Sequence, residues 1–128
     1  MDEHARNEAI FLRTMSSEEA ASWLLGKYPD GGQGLRLLRH RSWRRPEQAR
    51  LADHYLQRMP FAAGWPYEAL LAVMSVPRFL KAVEAHFPED ANDVRLALYY
   101  LRPALRDAAK SDRDHALIKS FLMSKALP

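Results

Sequence analysis

Cysteine is absent from the chain, which excludes a disulfide scaffold, a thiol nucleophile and thiolate metal ligation. β-Branched residues are also scarce: Val, Ile and Thr together number seven, against 37 Ala and Leu. With so little of what strands favour and so much of what helices favour, helix is expected throughout and strand nowhere. There are five glycines, and three of them fall within residues 29–34. That segment therefore reads as the only flexible connection of any length. No HExxH or EF-hand pattern occurs, and none of His4, His40, His54, His86 and His115 has a second ligand type at metal-site spacing. No metal or cofactor is expected.

Long unbroken apolar runs are missing too. Phe61 to Leu80 has Glu68 and Arg78 as its only charges, but Pro66, Glu68 and Pro77 interrupt it, and a bilayer span needs about 20 apolar residues in succession. The stretch is expected to be a central helix of a folded core, opening near Pro66, closing at Ser75 and covered on all sides. Trp65, Leu70, Leu71, Met74, Phe79, Leu80, Leu98 and Leu101 are its expected core. The first residues carry acids and no apolar segment of signal-peptide length, so no secretory signal, no membrane association and a cytoplasmic location are expected.

What is present is globular in composition: 128 residues, 48% hydrophobic and 27% charged. One domain, residues 1–128, should bury roughly two-thirds of its unfolded surface. Seven or eight helices can be placed from their punctuation. Ser16 with Glu19, and Ser111 with Asp114, have capping-box spacing; Pro46, Pro66 and Pro77 suit first helical turns; Asn92 starts a long helix in which Pro103 should cause a kink or a break. The last helix is expected to end near Leu127. Short links imply antiparallel neighbours, giving an all-α fold that is either a compact irregular bundle or a short HEAT-like array.

Charge is uneven along the chain. Residues 35–58 hold seven Lys or Arg against two acids, whereas residues 1–34 hold three against six. Arg36, Arg39, His40, Arg41, Arg44, Arg45 and Arg50 surround Trp43, a combination suited to acidic or phosphate partners. The alternative is a solvated helix junction with Trp43 as its core anchor. Arg95, Tyr99, Arg102 and Arg106 share one helix face and form a second candidate surface. Glu68 reads as a first-turn residue facing free backbone amides.

The stretch HRSWRRPEQARLADHYLQRMPFAAGWPYEALLAVMS, within about residues 35–80, resembles helical immunity proteins of bacterial contact-dependent and polymorphic toxin systems. The resemblance implies a non-enzymatic protein-binding module that neutralises a toxin domain by occluding its active site. Arg39, Arg41, Trp43, Arg44, Arg45, Tyr99, Arg102 and Arg106 are the candidate partner-binding residues, with no catalytic residue among them. If the partner were a basic nuclease, Asp2, Glu3, Glu8, Glu18 and Glu19 would be the contact surface instead. Two alternatives remain at this point. One is a nucleic-acid-binding regulator using the Arg36–Arg50 segment; the other is an enzyme whose residues converge only in three dimensions, which a pocket uniting Glu68 or Asp53 with a histidine would favour.

Overall fold

The computed structural model describes residues 2–126, and every regular element among them is helical. In order these are α1 (Glu3–Thr14), α2 (Ser17–Lys27), α3 (Gln33–Leu37) running into a 3-10 turn (Leu38–His40), α4 (Arg45–Leu56), α5 (Trp65–Leu71), α6 (Val76–His86), α7 (Ala91–Ala108) and α8 (Asp112–Lys125). Leu127 lies outside the described residues.

The helix starts follow local chemistry. Oγ of Ser16 accepts the Glu19 amide at 3.1 Å, Oγ of Ser75 accepts that of Arg78 at 3.4 Å, and Oγ of Ser111 accepts that of Asp114 at 3.1 Å. Each hydroxyl satisfies an amide that the first turn leaves unpaired. Helix α7 begins one residue earlier than its Asn92 suggests, because Asp90 caps it through the Asn92 and Asp93 amides at 3.0 and 3.2 Å. It also continues unbroken through Pro103. That proline is exposed, so the hydrogen bond it cannot donate is lost on the wet side of the helix.

The packing order defines the architecture. Each helix lies against the helix two positions along: α1 on α3, α3 on α5 and α5 on α7 form one layer, while α2 on α4, α4 on α6 and α6 on α8 form the other. Two layers, each stacked from alternate helices, make an all-α array that resembles a short HEAT-like stack. The core lies between the layers. Leu12, Leu37, Leu70 and Leu101 from the odd-numbered helices and Leu24, Leu51, Tyr55 and Phe79 from the even-numbered ones are fully buried. One apolar cluster runs the length of the stack.

The Phe61–Leu80 stretch is not a single helix covered on all sides. Ala72 to Ser75 form a link, which leaves α5 only seven residues long. Leu70, Met74, Phe79 and Leu80 are buried, as are Leu98 and Leu101, but Trp65 and Leu71 are only partly covered. An array explains the difference, since a helix in one layer has a solvent side even when its sequence is almost uncharged. The glycine-rich segment is likewise built rather than slack. Gly31 and Gly32 take positive φ, and a Cβ on Gly34 would meet the Tyr55 hydroxyl at 2.6 Å and Tyr28 Cβ at 2.8 Å.

Candidate protein-binding site

Because helices alternate between layers, the chain crosses from odd to even helices along one edge of the array and back along the other. The return edge is closed by polar contacts. The Tyr55 hydroxyl donates to the Tyr28 carbonyl at 3.0 Å, His54 Nε2 donates to the Pro29 carbonyl at 2.7 Å, and Arg58 pairs with Asp30. Asp53 and His86 then bridge α4 to α6 at 2.7 Å, and Glu84 and Lys125 bridge α6 to α8 at 2.7 Å. Every successive pair in the even layer is therefore laced near its C-terminal end.

A second polar knot ties α1 to the end of α2. Glu8, buried although charged, receives Lys27 Nζ at 2.8 Å, the Tyr28 hydroxyl at 2.7 Å and His4 Nε2 at 3.4 Å. Burial alone would raise the pKa of this carboxyl, but the bonds from Lys27 and Tyr28 and the nearby charges of Lys27 and His4 hold it below its ordinary value. The same contact works in reverse on Tyr28, where burial and the Glu8 carboxylate raise the hydroxyl pKa to about 12.

The odd-to-even edge is different. Its links at Arg41–Arg44, Ala72–Ser75 and Ala109–Ser111 line a groove of about 550 Å3 with Arg39, Arg45, Arg78 and Lys110 around it. Among the described residues, none of these four side chains makes an ion pair or hydrogen bond. The one acid lining the groove, Asp114, is already engaged, its Oδ2 accepting the Lys110 amide at 3.0 Å. Leu71, Ala72 and Val73 form an apolar floor that remains partly accessible. The groove thus combines an excess of positive charge, with Asp114 as the one acid among its lining residues, and aliphatic surface.

The sequence candidates separate into different environments. Arg39 and Arg45 line this groove. Arg41 lines it too, but its guanidinium donates to the carbonyls of Leu12, Met15 and Ser16 at 2.9, 2.9 and 3.3 Å, closing the end of α1 onto the next link. Arg41 is therefore not simply solvated; it ties the α1–α2 link to its own, supplying a partner to the Met15 carbonyl and a second donor to those of Leu12 and Ser16, which already accept the Met15 and Ala20 amides. Trp43 is 5% exposed, its indole N–H donates to the Leu38 carbonyl at 2.8 Å, and the Arg41 guanidinium covers its ring at 4.8 Å. It is a core anchor rather than an accessible aromatic. Arg44 is exposed but outside the groove, its amide bonded to Ser17 Oγ at 3.0 Å. Tyr99, 70% exposed, lies with Arg102 and Arg106 on the outer face of α7, and none of the three lines the groove.

Sequence reasoning missed Arg78, Lys110 and the Leu71–Val73 floor. Their signal was positional: each lies in or beside a link that follows an odd-numbered helix, and only the array brings those links to one edge. The acidic alternative does not form one patch. Glu8 is committed to Lys27, while Glu3 and the Glu18–Glu19 pair begin α1 and α2, whose antiparallel course is set by the Glu8–Lys27 and Phe11–Trp23 contacts.

A second cleft, about 480 Å3, opens between α1, α3 and α5 and shares Arg39 and Ala72 with the groove. Arg36 stacks on the Trp65 ring at 4.5 Å, and His40, Glu68 and Asp2 also line the cleft. Burial, with Arg39 and Arg13 nearby, lowers the His40 pKa and so disfavours its charged form. Glu68 keeps its expected place in the first turn of α5 but also shares this cavity with a histidine. Asp53 meets His86 on the laced edge, where neither residue lines either cleft. Among the described residues no group of His, Asp and Glu is arranged to hold a metal ion, and no helix is long and apolar enough to cross a membrane. Comparison with family models, curated proteins and solved structures finds no match to the chain.

Proposed function

We propose that the chain is a non-enzymatic binding module of the bacterial cytoplasm that neutralises a toxin domain by covering its active site. The observation that carries this reading is the odd-to-even edge, where four cations without partners flank an accessible aliphatic floor. Unpaired like charges along one edge are unfavourable for the isolated fold and become favourable only against an opposite charge. The resemblance of residues 35–80 to immunity proteins supplies the partner class. The sign of the charge selects a toxin domain with an acidic rim, in contrast to acidic immunity proteins that cover basic nuclease sites. Co-expression of this chain with its cognate toxin domain should restore growth, and Arg39→Gln combined with Arg78→Gln should abolish that protection. Undiminished toxicity beside abundant, folded protein would refute the reading.

A second reading is favoured by the cleft that unites Glu68, His40, Arg36 and Arg39. An imidazole beside guanidinium groups offers a general base and anion-holding groups. This reading predicts turnover of phosphodiester or ester substrates that is lost in both His40→Gln and Glu68→Gln. Turnover unchanged in either variant would remove it.

A further inference from the structure

We infer that the open edge takes an extended acidic polypeptide segment carrying aliphatic side chains, rather than nucleic acid. The inference rests on the binding role proposed above and names the chemistry of what is bound. Positive charge does not choose between carboxylates and phosphates, so the choice depends on the groove's uncharged surface. Single-stranded nucleic acid is held on aromatic platforms on which successive bases stack. The only aromatic residue lining this groove is Trp43, which is 5% exposed and has the Arg41 guanidinium over its ring at 4.8 Å. Its surface is not available for stacking a base.

The floor offers Leu71, Ala72 and Val73 instead, which suit Leu, Val or Ile side chains through burial of apolar area. In an extended chain alternate side chains point to opposite sides. Aliphatic residues at intervals can therefore enter the floor while Asp and Glu reach the rims at Arg39, Arg78 and Lys110. A cavity of about 550 Å3 is within the roughly 300–1,000 Å3 of sites that enclose small ligands. It accommodates a short stretch of chain and not a duplex. The recognised feature is then a mixed acidic and aliphatic segment at the rim of the partner's active site.

The test uses the full chain and two fluorescein-labelled probes in anisotropy titrations: a peptide of about ten residues in which single glutamates and single leucines alternate, and an oligothymidylate of equal net charge. The peptide should bind at least tenfold more tightly than the oligonucleotide. Combined Arg39→Gln, Arg78→Gln and Lys110→Gln should weaken the peptide at least tenfold, and Val73→Asp at least fivefold, with circular dichroism melts confirming that each variant is folded. Leu71→Ser gives the same readout if Val73→Asp does not fold. Equal or tighter oligonucleotide binding would overturn the inference in favour of phosphate recognition. Peptide affinity unchanged in both floor variants would overturn the aliphatic element. If neither probe binds while toxin protection on co-expression stands, the segment chemistry is wrong and the binding role survives; if protection also fails, both fall.

Discussion

The two edges of the array are made from the same kind of connection, yet they use their arginines and lysines in opposite ways. On the return edge the cations are spent on structure: Arg58 meets Asp30, Lys125 meets Glu84 and Lys27 meets Glu8. On the odd-to-even edge the side chains of Arg39, Arg45, Arg78 and Lys110 make no ion pair among the described residues, and the links are held instead by Arg41 and by Ser17 Oγ, which accepts the Arg44 amide. The fold closes one edge with ion pairs and leaves cations without partners on the other. Net charge does not show this, since +3 over 128 residues is unremarkable. The distribution over the two edges does.

The comparison would break first if the closed edge proved dispensable. Tyr55 is fully buried and its hydroxyl bonds the Tyr28 carbonyl, so Tyr55→Ala should cost about 3–5 kcal/mol in urea unfolding. A loss below about 1 kcal/mol would mean that the return links are not held as described.

Arg41 sharpens the comparison because it is the exception on its own edge. Arg41→Gln removes charge-assisted bonds to the Leu12, Met15 and Ser16 carbonyls. Allowing for its partial exposure, the loss should be about 1.5–3 kcal/mol by the same measurement. Arg44→Gln, whose side chain makes no such contact among the described residues, should stay within about 0.5 kcal/mol. Equal effects in the two would return Arg41 to the solvated surface.

A smaller effect should appear in acid. The Glu8 pKa is lower in the folded chain than its ordinary value of 4.5, so its contribution is fully present above that value and is lost as pH falls through the folded pKa. Unfolding midpoints measured across that acid limb should decline more steeply for the wild type than for Glu8→Gln. Parallel profiles would show that the Glu8, Lys27 and Tyr28 knot does not couple folding to pH.

How far the sequence could be read follows from the same geometry. Helix starts at Ser16 and Ser111 were legible because capping acts over three residues, and the all-helical class because Ala and Leu dominate. The covering of Phe61–Leu80 was not, because apolar content says that a helix is buried somewhere but not that a layer leaves Trp65 and Leu71 partly open. The arginine cluster was visible as a density in sequence, yet its members diverge. Arg39 and Arg45 reach the groove, Arg36 stacks on Trp65, Arg41 holds carbonyls and Arg50 donates to Ser22 Oγ at 2.9 Å. Arg78 and Lys110 join the groove from segments tens of residues away, and no local pattern announces that. The sharing of one cleft by Glu68 and His40 is likewise a product of the α3–α5 contact.

The most direct test of the central claim is the urea unfolding free energy of a quadruple variant, Arg39→Gln, Arg45→Gln, Arg78→Gln and Lys110→Gln, against the wild type. If the open edge holds charge that folding does not use, removing it leaves stability within about 0.5 kcal/mol or raises it slightly by relieving repulsion between like charges. A loss of more than about 2 kcal/mol would contradict the account, because those cations would then be part of what holds the array together.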